Sequence, residues 1–198
     1  AEMVFEYPDD VHIPSYKPTV KGNARQIRQA VEMMKNAKRP ILYIGGGIIA
    51  SHSEEELLGV AEALQIPVVT TLMAKSAFPS SHPLNLGHVG MHGSKYANFA
   101  VTNADLLVAV GARFSDRVTG ELADFAPEAK VIHVDVDPAE IGKNRIPQIP
   151  IVGDAKVVLA GMKEQLDKDG YEPKTKEWLE QIEEWRSRHP FYSPGLVA

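Results

Sequence analysis

Residues 41–50, with the sequence ILYIGGGIIA, decide the fold class of this chain of 198 residues. The run Ile41–Ile44 is short and apolar, which predicts a buried strand, and the three glycines after it predict a sharp turn. A helix is predicted before the strand, because Asn23 can cap a helix whose apolar residues are spaced by three and four positions. Those apolar residues are Ile27, Ala30, Val31 and Met34.

Helices and short apolar runs continue to alternate along the chain. Ser53 and Glu56 form a predicted capping box for the next helix, and residues 72–93 are predicted to be a long loop. Further strands are predicted at 66–71, 106–110, 131–136 and 149–152, and further helices at 94–102 and 154–166. Strands that alternate with helices form a parallel sheet covered on both faces. The sequence therefore predicts an α/β fold, a Rossmann-like three-layer sandwich.

The pattern divides the chain into three regions. Residues 1–22 hold three prolines and no apolar period, so we expect an extended linker. Residues 23–168 are predicted to form the α/β domain. Residues 174–189 are predicted to form a charged helix that packs on the domain or leads to a following one. Its apolar stripe is Trp178, Leu179, Ile182 and Trp185.

The composition excludes several classes of protein. Without cysteine there are no disulfides, thiol nucleophiles or cysteine-based zinc sites. The net charge is −5, which gives no footprint for nucleic acid. The longest apolar stretch is about half of a membrane span, and no signal peptide is visible. We therefore expect a soluble cytoplasmic domain that contacts neither nucleic acid nor membrane.

Three segments at predicted strand ends are candidates for a ligand site. Gly45–Ala50 fits G-x-G-x-x-G/A, but the helix is predicted to start late, at Ser53, and no acid follows the next strand, which disfavours nicotinamide binding. The alternative is a sharp strand–helix turn. Asp135 can accept from a ribose hydroxyl, whereas Asp137 is interpreted as a turn cap.

The segment GARFSDR, residues 111–117, holds two arginines around Asp116. Arginine suits phosphate or carboxylate, although a surface ion pair is the alternative. Among the histidines, His92 is the candidate ligand contact. A metal site at His82, His88 and His92 is disfavoured because carboxylates are distant in sequence.

Six motifs in this order resemble a known family: GGGIIA, TTLM, GMHG, GARFSDRVTG, HVDVDPAEIGKN and IPIVGDA. The chain resembles the central domain of the catalytic subunit of acetohydroxyacid synthase, also called acetolactate synthase. The resemblance implies a six-stranded parallel sheet that binds FAD, in a reaction without net redox change. One departure is Ser115, where the family has aspartate.

The resemblance also implies a role for each matching residue. The implied set comprises Gly45, Gly46 and Gly47 along the pyrophosphate and ribitol; Thr71, Leu72, Met73, Met91 and His92 near the flavin; Arg113, Asp116 and Arg117 at the phosphates and flavin; Asp135 and Val136 at the adenosine, closed by Asp154 and Ala155; and Gly93, Gly111 and Val118 completing the site. Met91, Asp116 and Arg117 would also face the substrate channel.

The resemblance implies an enzyme that decarboxylates pyruvate on thiamine diphosphate and joins the product to a second 2-oxo acid. Thiamine diphosphate and magnesium would be bound by other domains, so no catalytic residue is expected here and this chain alone should be inactive. Implied partners are the remaining domains, a second or further copies in a homodimer or tetramer, and a regulatory small subunit. The alternative is a flavin-free or ADP-binding scaffold of a related 2-oxo acid decarboxylase. A sirtuin-type module is disfavoured because the zinc lobe needs cysteine.

Overall fold

A computed structural model describes residues 18–115, 119–120 and 124–190. Most of the predicted linker, residues 1–22, therefore lies outside the described residues. The helices are α1 Ala24–Asn36, α2 Gly46–Ala50, α3 Glu54–Leu64, α4 Lys95–Thr102, α5 Ala155–Asp169 and α6 Lys176–Arg188. The strands are β1 Pro40–Ile44, β2 Val68–Thr70, β3 Asn85–His88, β4 Leu106–Val110, β5 Lys130–Asp135 and β6 Ile149–Val152. A 3₁₀ turn spans Leu72–Ala74.

The strands form one six-stranded sheet in the order β3-β2-β1-β4-β5-β6. All five neighbouring pairs are parallel, so the predicted α/β class and parallel sheet are confirmed. The chain builds outward from β1 to β3, then returns to the other side of β1 and builds outward again. Between β1 and β4 the connections leave in opposite directions. A crevice forms at such a switch point, at the carboxyl ends of the strands.

The sheet is buried on both faces, which explains why its central strands are continuous apolar runs. Every residue of β1 and of β4 is buried. Leu42, Ile44 and Val108 pack with residues of α1, α3 and α5 in one cluster. Ile41 and Tyr43 pack with residues of α4 and α6 in the other. The result is the predicted three-layer arrangement.

The ends of α1 and α3 show one correct and one wrong capping prediction. The Asn23 side chain accepts from the backbone amides of Arg25 and Gln26, as predicted for α1. Ser53 precedes α3, but its hydroxyl makes no capping bond there. It donates instead to Ile48 O at 3.3 Å. The reason is α2, a short helix that the sequence did not predict, whose last carbonyls need donors.

Strand β3 lies inside the segment predicted to be a loop, and that prediction is wrong for residues 85–88. Its sequence, NLGH, is neither apolar nor alternating, and only Leu86 is fully buried. As an edge strand it pairs with β2 alone, and the register shifts between Val68 and Val69. Gly87 has a φ of +79° in this strand. An edge position needs little apolar surface, which removes the signal that the sequence offers.

The C-terminal helix α6 packs on the α4 side of the sheet. Trp178 and Ile182 are buried in the second cluster, and Trp178 Nε1 donates to Pro40 O at 3.2 Å. The rings of Trp178 and Trp185 meet edge to face, with centroids 5.7 Å apart. The predicted stripe is therefore the face that contacts the domain.

Candidate functional site

A cavity of about 1130 Å³ opens at the carboxyl ends of the central strands. Residues that follow β1, β2, β4 and β5 all contribute to its wall, as expected for a switch-point crevice. The predicted site residues that line it are Gly45, Gly46, Gly47, Thr71, Leu72, Met73, Met91, His92, Gly111, Arg113, Asp135, Val136, Asp154 and Ala155. The structure therefore brings together segments that are up to 110 positions apart in sequence, 45 to 155.

The remaining predicted residues differ in their placement. Gly93 is not part of the cavity wall: a Cβ there would lie 2.4 Å from His88 O, so this glycine serves a backbone contact. Asp116, Arg117 and Val118 lie outside the described residues. The lining residues that were not predicted are Ala50, Ser51, His88, Ala112, Ser115, Val134, Asp137, Glu140 and Gly153.

The three glycines after β1 have different physical reasons. A Cβ on Gly45 would lie 2.2 Å from Gly111 O, and one on Gly47 would lie 2.6 Å from Gly111 Cα. These two positions need glycine because the turn packs directly on the chain after β4. A Cβ on Gly46 would meet only Met73 Cβ, at 3.3 Å. Gly46 is therefore the glycine that leaves room for a ligand in the cavity. The resemblance placed all three glycines along the ligand, but the need for ligand space explains only Gly46.

The acidic wall of the cavity lies after β5 and before α5. One oxygen of Asp135 accepts from the Asp137 amide at 2.9 Å, and Asp137 in turn accepts from the Ala139 amide at 2.9 Å. Asp137 is thus a turn cap, as predicted. Asp154 caps α5 by accepting from the amides of Lys156 and Val157. Asp135 Oδ2 has no hydrogen bond to another described residue, which leaves it available for a ligand.

The opposite wall is apolar and exposed. Leu72 is 70% exposed, Met73 75% and Met91 84%. Large apolar side chains at such exposure mark a surface that contacts a ligand or another part of a protein. His88 lines the cavity nearby, and its Nδ1 donates to Thr70 O at 3.2 Å.

Arg113 is the cation of the cavity wall among the described residues. Its side chain is 76% exposed, and its Nε lies 3.9 Å from Glu140 Oε2. Lys143 Nζ lies 3.1 Å from the other oxygen of Glu140. Glu140 is largely buried, but the contact is long and its Arg113 partner is exposed, so it contributes little to stability. The Arg113 guanidinium is therefore free to turn toward an anion. Glu140 was not predicted, although it stands inside the motif HVDVDPAEIGKN.

Two buried side chains form hydrogen bonds to the backbone at Ala112 and Arg113. Tyr43 Oη donates to Arg113 O at 3.0 Å, and His133 Nε2 donates to Ala112 O at 3.2 Å. Burial raises the pKa of Tyr43 far above its usual range, so its hydroxyl stays protonated. Burial also lowers the pKa of His133, partly offset by Asp135. His133 is therefore neutral at pH 7, and its one N–H is the one on Nε2.

Arg145 forms hydrogen bonds to the segment 125–129, which leads into β5. Its guanidinium donates to the carbonyls of Phe125, Ala126 and Ala129. Ala126 has a φ of +49°, a conformation that an L residue rarely adopts without support. The segment 136–148 thus supports the long connection after β4 as well as the acidic wall.

The described residues hold no candidate metal cluster and no candidate membrane span. No group of three or more His, Asp or Glu side chains among them is placed to hold a metal ion. None of the described helices combines the length and the apolar character needed to cross a bilayer. A second groove of about 810 Å³ runs along α1 at the amino ends of β4, β5 and β6, away from the carboxyl ends, and is lined by residues that include Arg28, Asn36 and Lys130.

Comparison with known proteins gives a consistent result. The family described as "Thiamine pyrophosphate enzyme, central domain" matches residues 27–162. "Acetolactate synthase" of Mycobacterium avium is 49% identical over 196 residues, 98% of this chain and 32% of that protein. "Probable acetolactate synthase large subunit" of Methanocaldococcus jannaschii is 54% identical over 181 residues, 91% of this chain and 30% of that protein. "Acetolactate synthase large subunit" of Corynebacterium glutamicum is 48% identical over 191 residues, 96% and 30% of the two chains. The chain thus spans about a third of the length of these relatives.

Proposed function

The chain belongs to the family of thiamine pyrophosphate enzyme central domains, and we propose that it is the FAD-binding central domain of an acetolactate synthase. The observation that carries the proposal is the cavity at the strand ends. Its wall combines a glycine that leaves space for a ligand (Gly46), a carboxylate (Asp135), an arginine (Arg113) and an exposed apolar surface. Similarity to proteins named acetolactate synthase, over nearly the whole chain, supports the choice of enzyme.

The residues present fit FAD in both chemistry and order. Asp135 offers a carboxylate oxygen to the ribose hydroxyls of the adenosine end. Gly46 lets the pyrophosphate approach the backbone, and Arg113 supplies the positive charge that phosphates need. Leu72, Met73 and Met91 give the flavin an apolar surface. The space of about 1130 Å³ lies just above the range of ordinary ligand cavities, which suits a ligand as large as a dinucleotide.

The chemistry of the whole enzyme lies beyond these residues. We propose that the complete protein condenses two molecules of pyruvate, or pyruvate with 2-oxobutanoate, with loss of CO₂. Thiamine diphosphate and magnesium would bind outside this chain, and FAD would serve the architecture rather than net redox chemistry. The proposed partners are the other domains, further copies of the subunit and a regulatory small subunit. The last is supported by the name "large subunit" of two relatives.

A titration of this chain with ADP and with FAD tests the proposal. We expect ADP to bind and FAD to bind no more than modestly better, because the flavin wall is open and must be ordered on binding. Met73→Ala should then weaken FAD while leaving ADP unchanged, since Met73 lies on the proposed flavin side. Unchanged affinity for both ligands in this variant would favour the ADP-binding scaffold instead. Absence of binding by either ligand would refute both.

A further inference from the structure

Three successive carbonyls after β4 are each held by a side chain from a different part of the chain. Ala112 O accepts from His133 of β5 at 3.2 Å. Arg113 O accepts from Tyr43 of β1 at 3.0 Å. Phe114 O accepts from Asn144 Nδ2, in the connection between β5 and β6, at 2.6 Å. A side-chain bond to each of three consecutive carbonyls fixes the orientation of this backbone.

The orientation of these carbonyls determines where the neighbouring amides point. In a planar trans peptide the N–H of one residue points opposite to the C=O of the residue before it. Because the carbonyls of Ala112 and Arg113 point to buried donors, the amides of Arg113 and Phe114 point away from those donors. No described residue accepts from either amide. Each is therefore a backbone donor without a described partner, and the Arg113 amide belongs to a residue that lines the cavity.

The donors that hold this backbone are built into the core. Tyr43 is fully buried, and its ring contacts those of Phe114 and Phe125 at 5.7 and 5.8 Å. His133 is 1% exposed and meets the Phe114 ring edge to face at 5.2 Å. Ala112 and Arg113 themselves line the cavity. Side chains of the core therefore contact, through hydrogen bonds, a short backbone segment that lines the ligand site.

We propose that Tyr43, His133 and Asn144 are positioning residues: they orient the 112–114 backbone so that the amide and the side chain of Arg113 are presented to the phosphate groups of the ligand. This inference rests on the proposed function, because it needs an anionic ligand in the cavity. None of the three side chains has to touch the ligand. Their effect is confined to the phosphate part of the binding energy.

The test compares Tyr43→Phe with Tyr171→Phe, using ADP and adenosine as probes. Both substitutions remove one hydroxyl and keep the ring. Tyr171 Oη donates to Lys35 O at 2.9 Å, at a site that does not line the cavity, so it is the matched control. Tyr43→Phe should lower ADP affinity about tenfold, the effect of one hydrogen bond of ordinary strength. It should leave adenosine affinity unchanged, because adenosine has no phosphate, and Tyr171→Phe should change neither.

A second variant and a double-mutant cycle separate positioning from loss of folding. Asn144 is exposed, so Asn144→Ala removes the third donor without opening the core, and it should reduce ADP but not adenosine affinity. In the cycle with Arg113→Ala, the losses for ADP should be less than additive, because both changes act through one segment.

Three results would overturn the inference. Equal losses for ADP and adenosine would assign Tyr43 a merely structural role. Unchanged ADP affinity in both Tyr43→Phe and Asn144→Ala would remove the positioning role and leave the proposed function intact. Failure of the unmodified chain to bind ADP would refute the proposed function, and the inference with it.

Discussion

Replacing Gly45 by alanine should destabilise the fold although its backbone angles suit any residue. Its φ is −125° and its ψ −173°, so the cost comes from packing alone. The new Cβ would lie 2.2 Å from Gly111 O and 2.5 Å from Ala112 Cα. Since carbon contacts are normally 3.5–4.0 Å, the ends of β1 and β4 would have to separate by roughly 1 Å. Overpacking costs about 1–3 kcal/mol, and we expect about 3 because both neighbours are backbone.

Gly46→Ala is the matched control, one residue away in the same turn. Its Cβ would meet only Met73, which is 75% exposed and can move. Replacing glycine also reduces the entropy of the unfolded chain, which stabilises by about 0.4–1 kcal/mol. We therefore expect the free energy of unfolding to stay within about 0.5 kcal/mol of that of the unmodified chain. The methyl group occupies cavity space, so ADP affinity should fall about tenfold, which corresponds to about 1.4 kcal/mol.

Urea denaturation and thermal unfolding measure the first effect, and calorimetric titration with ADP measures the second. For a chain of this size, 3 kcal/mol corresponds to a fall in Tm of about 6–12 °C for Gly45→Ala. The reasoning is refuted if Gly45→Ala unfolds with the stability of the unmodified chain. It is equally refuted if Gly46→Ala is the more destabilised of the two, or binds ADP unchanged.

Three further predictions concern single residues. Asp135→Ala should weaken ADP binding by about 1.5–3 kcal/mol, the range for a hydrogen bond to a charged group, whereas Asp137→Ala should change it little; equal losses in titrations of the two variants would contradict the assigned roles. The folded-state pKa of His133 is lowered, so the unfolded state binds its proton first and stability should fall as the pH drops below about 6.5. Urea denaturation at pH 7.5 and 5.5 should show a smaller loss of stability at pH 5.5 for His133→Gln than for the unmodified chain, and an identical loss would refute this. Arg145→Ala should cost about 3 kcal/mol of unfolding free energy because three carbonyls lose their donor; the exposed Arg28→Ala is its control, and equal stabilities of the two variants would contradict the structural role.

The strands that can be predicted from the sequence are those that the fold buries on both faces. LLVAV of β4 and PILYI of β1 are buried at every position, and a buried parallel strand has to be continuously apolar. The acidic carboxyl end of β5 was predictable for a related reason, since an acid directly after a buried run lies at the edge of the sheet. Strand β3 escaped because an edge strand with one neighbour needs no such run.

The parts that the sequence could not predict depend on contacts between distant segments. Gly45 and Gly47 read as ligand-binding glycines, yet their nearest neighbour is Gly111, more than 60 positions away. Tyr43 and His133 read as interior strand residues, and nothing local shows that each donates to the same short backbone segment. A motif gives the residue types at a site, whereas only the fold gives their partners.

The central claim is that the cavity at the strand ends, and no other surface, binds the nucleotide. A ¹⁵N–¹H NMR titration of this chain with ADP tests it most directly, because each backbone amide reports separately. The account predicts saturable shifts for Gly46, Gly111 and Val136, which line the cavity, and none for Arg28 or Asn36 in the groove along α1. Saturable shifts confined to that groove, with the cavity amides unchanged, would contradict it.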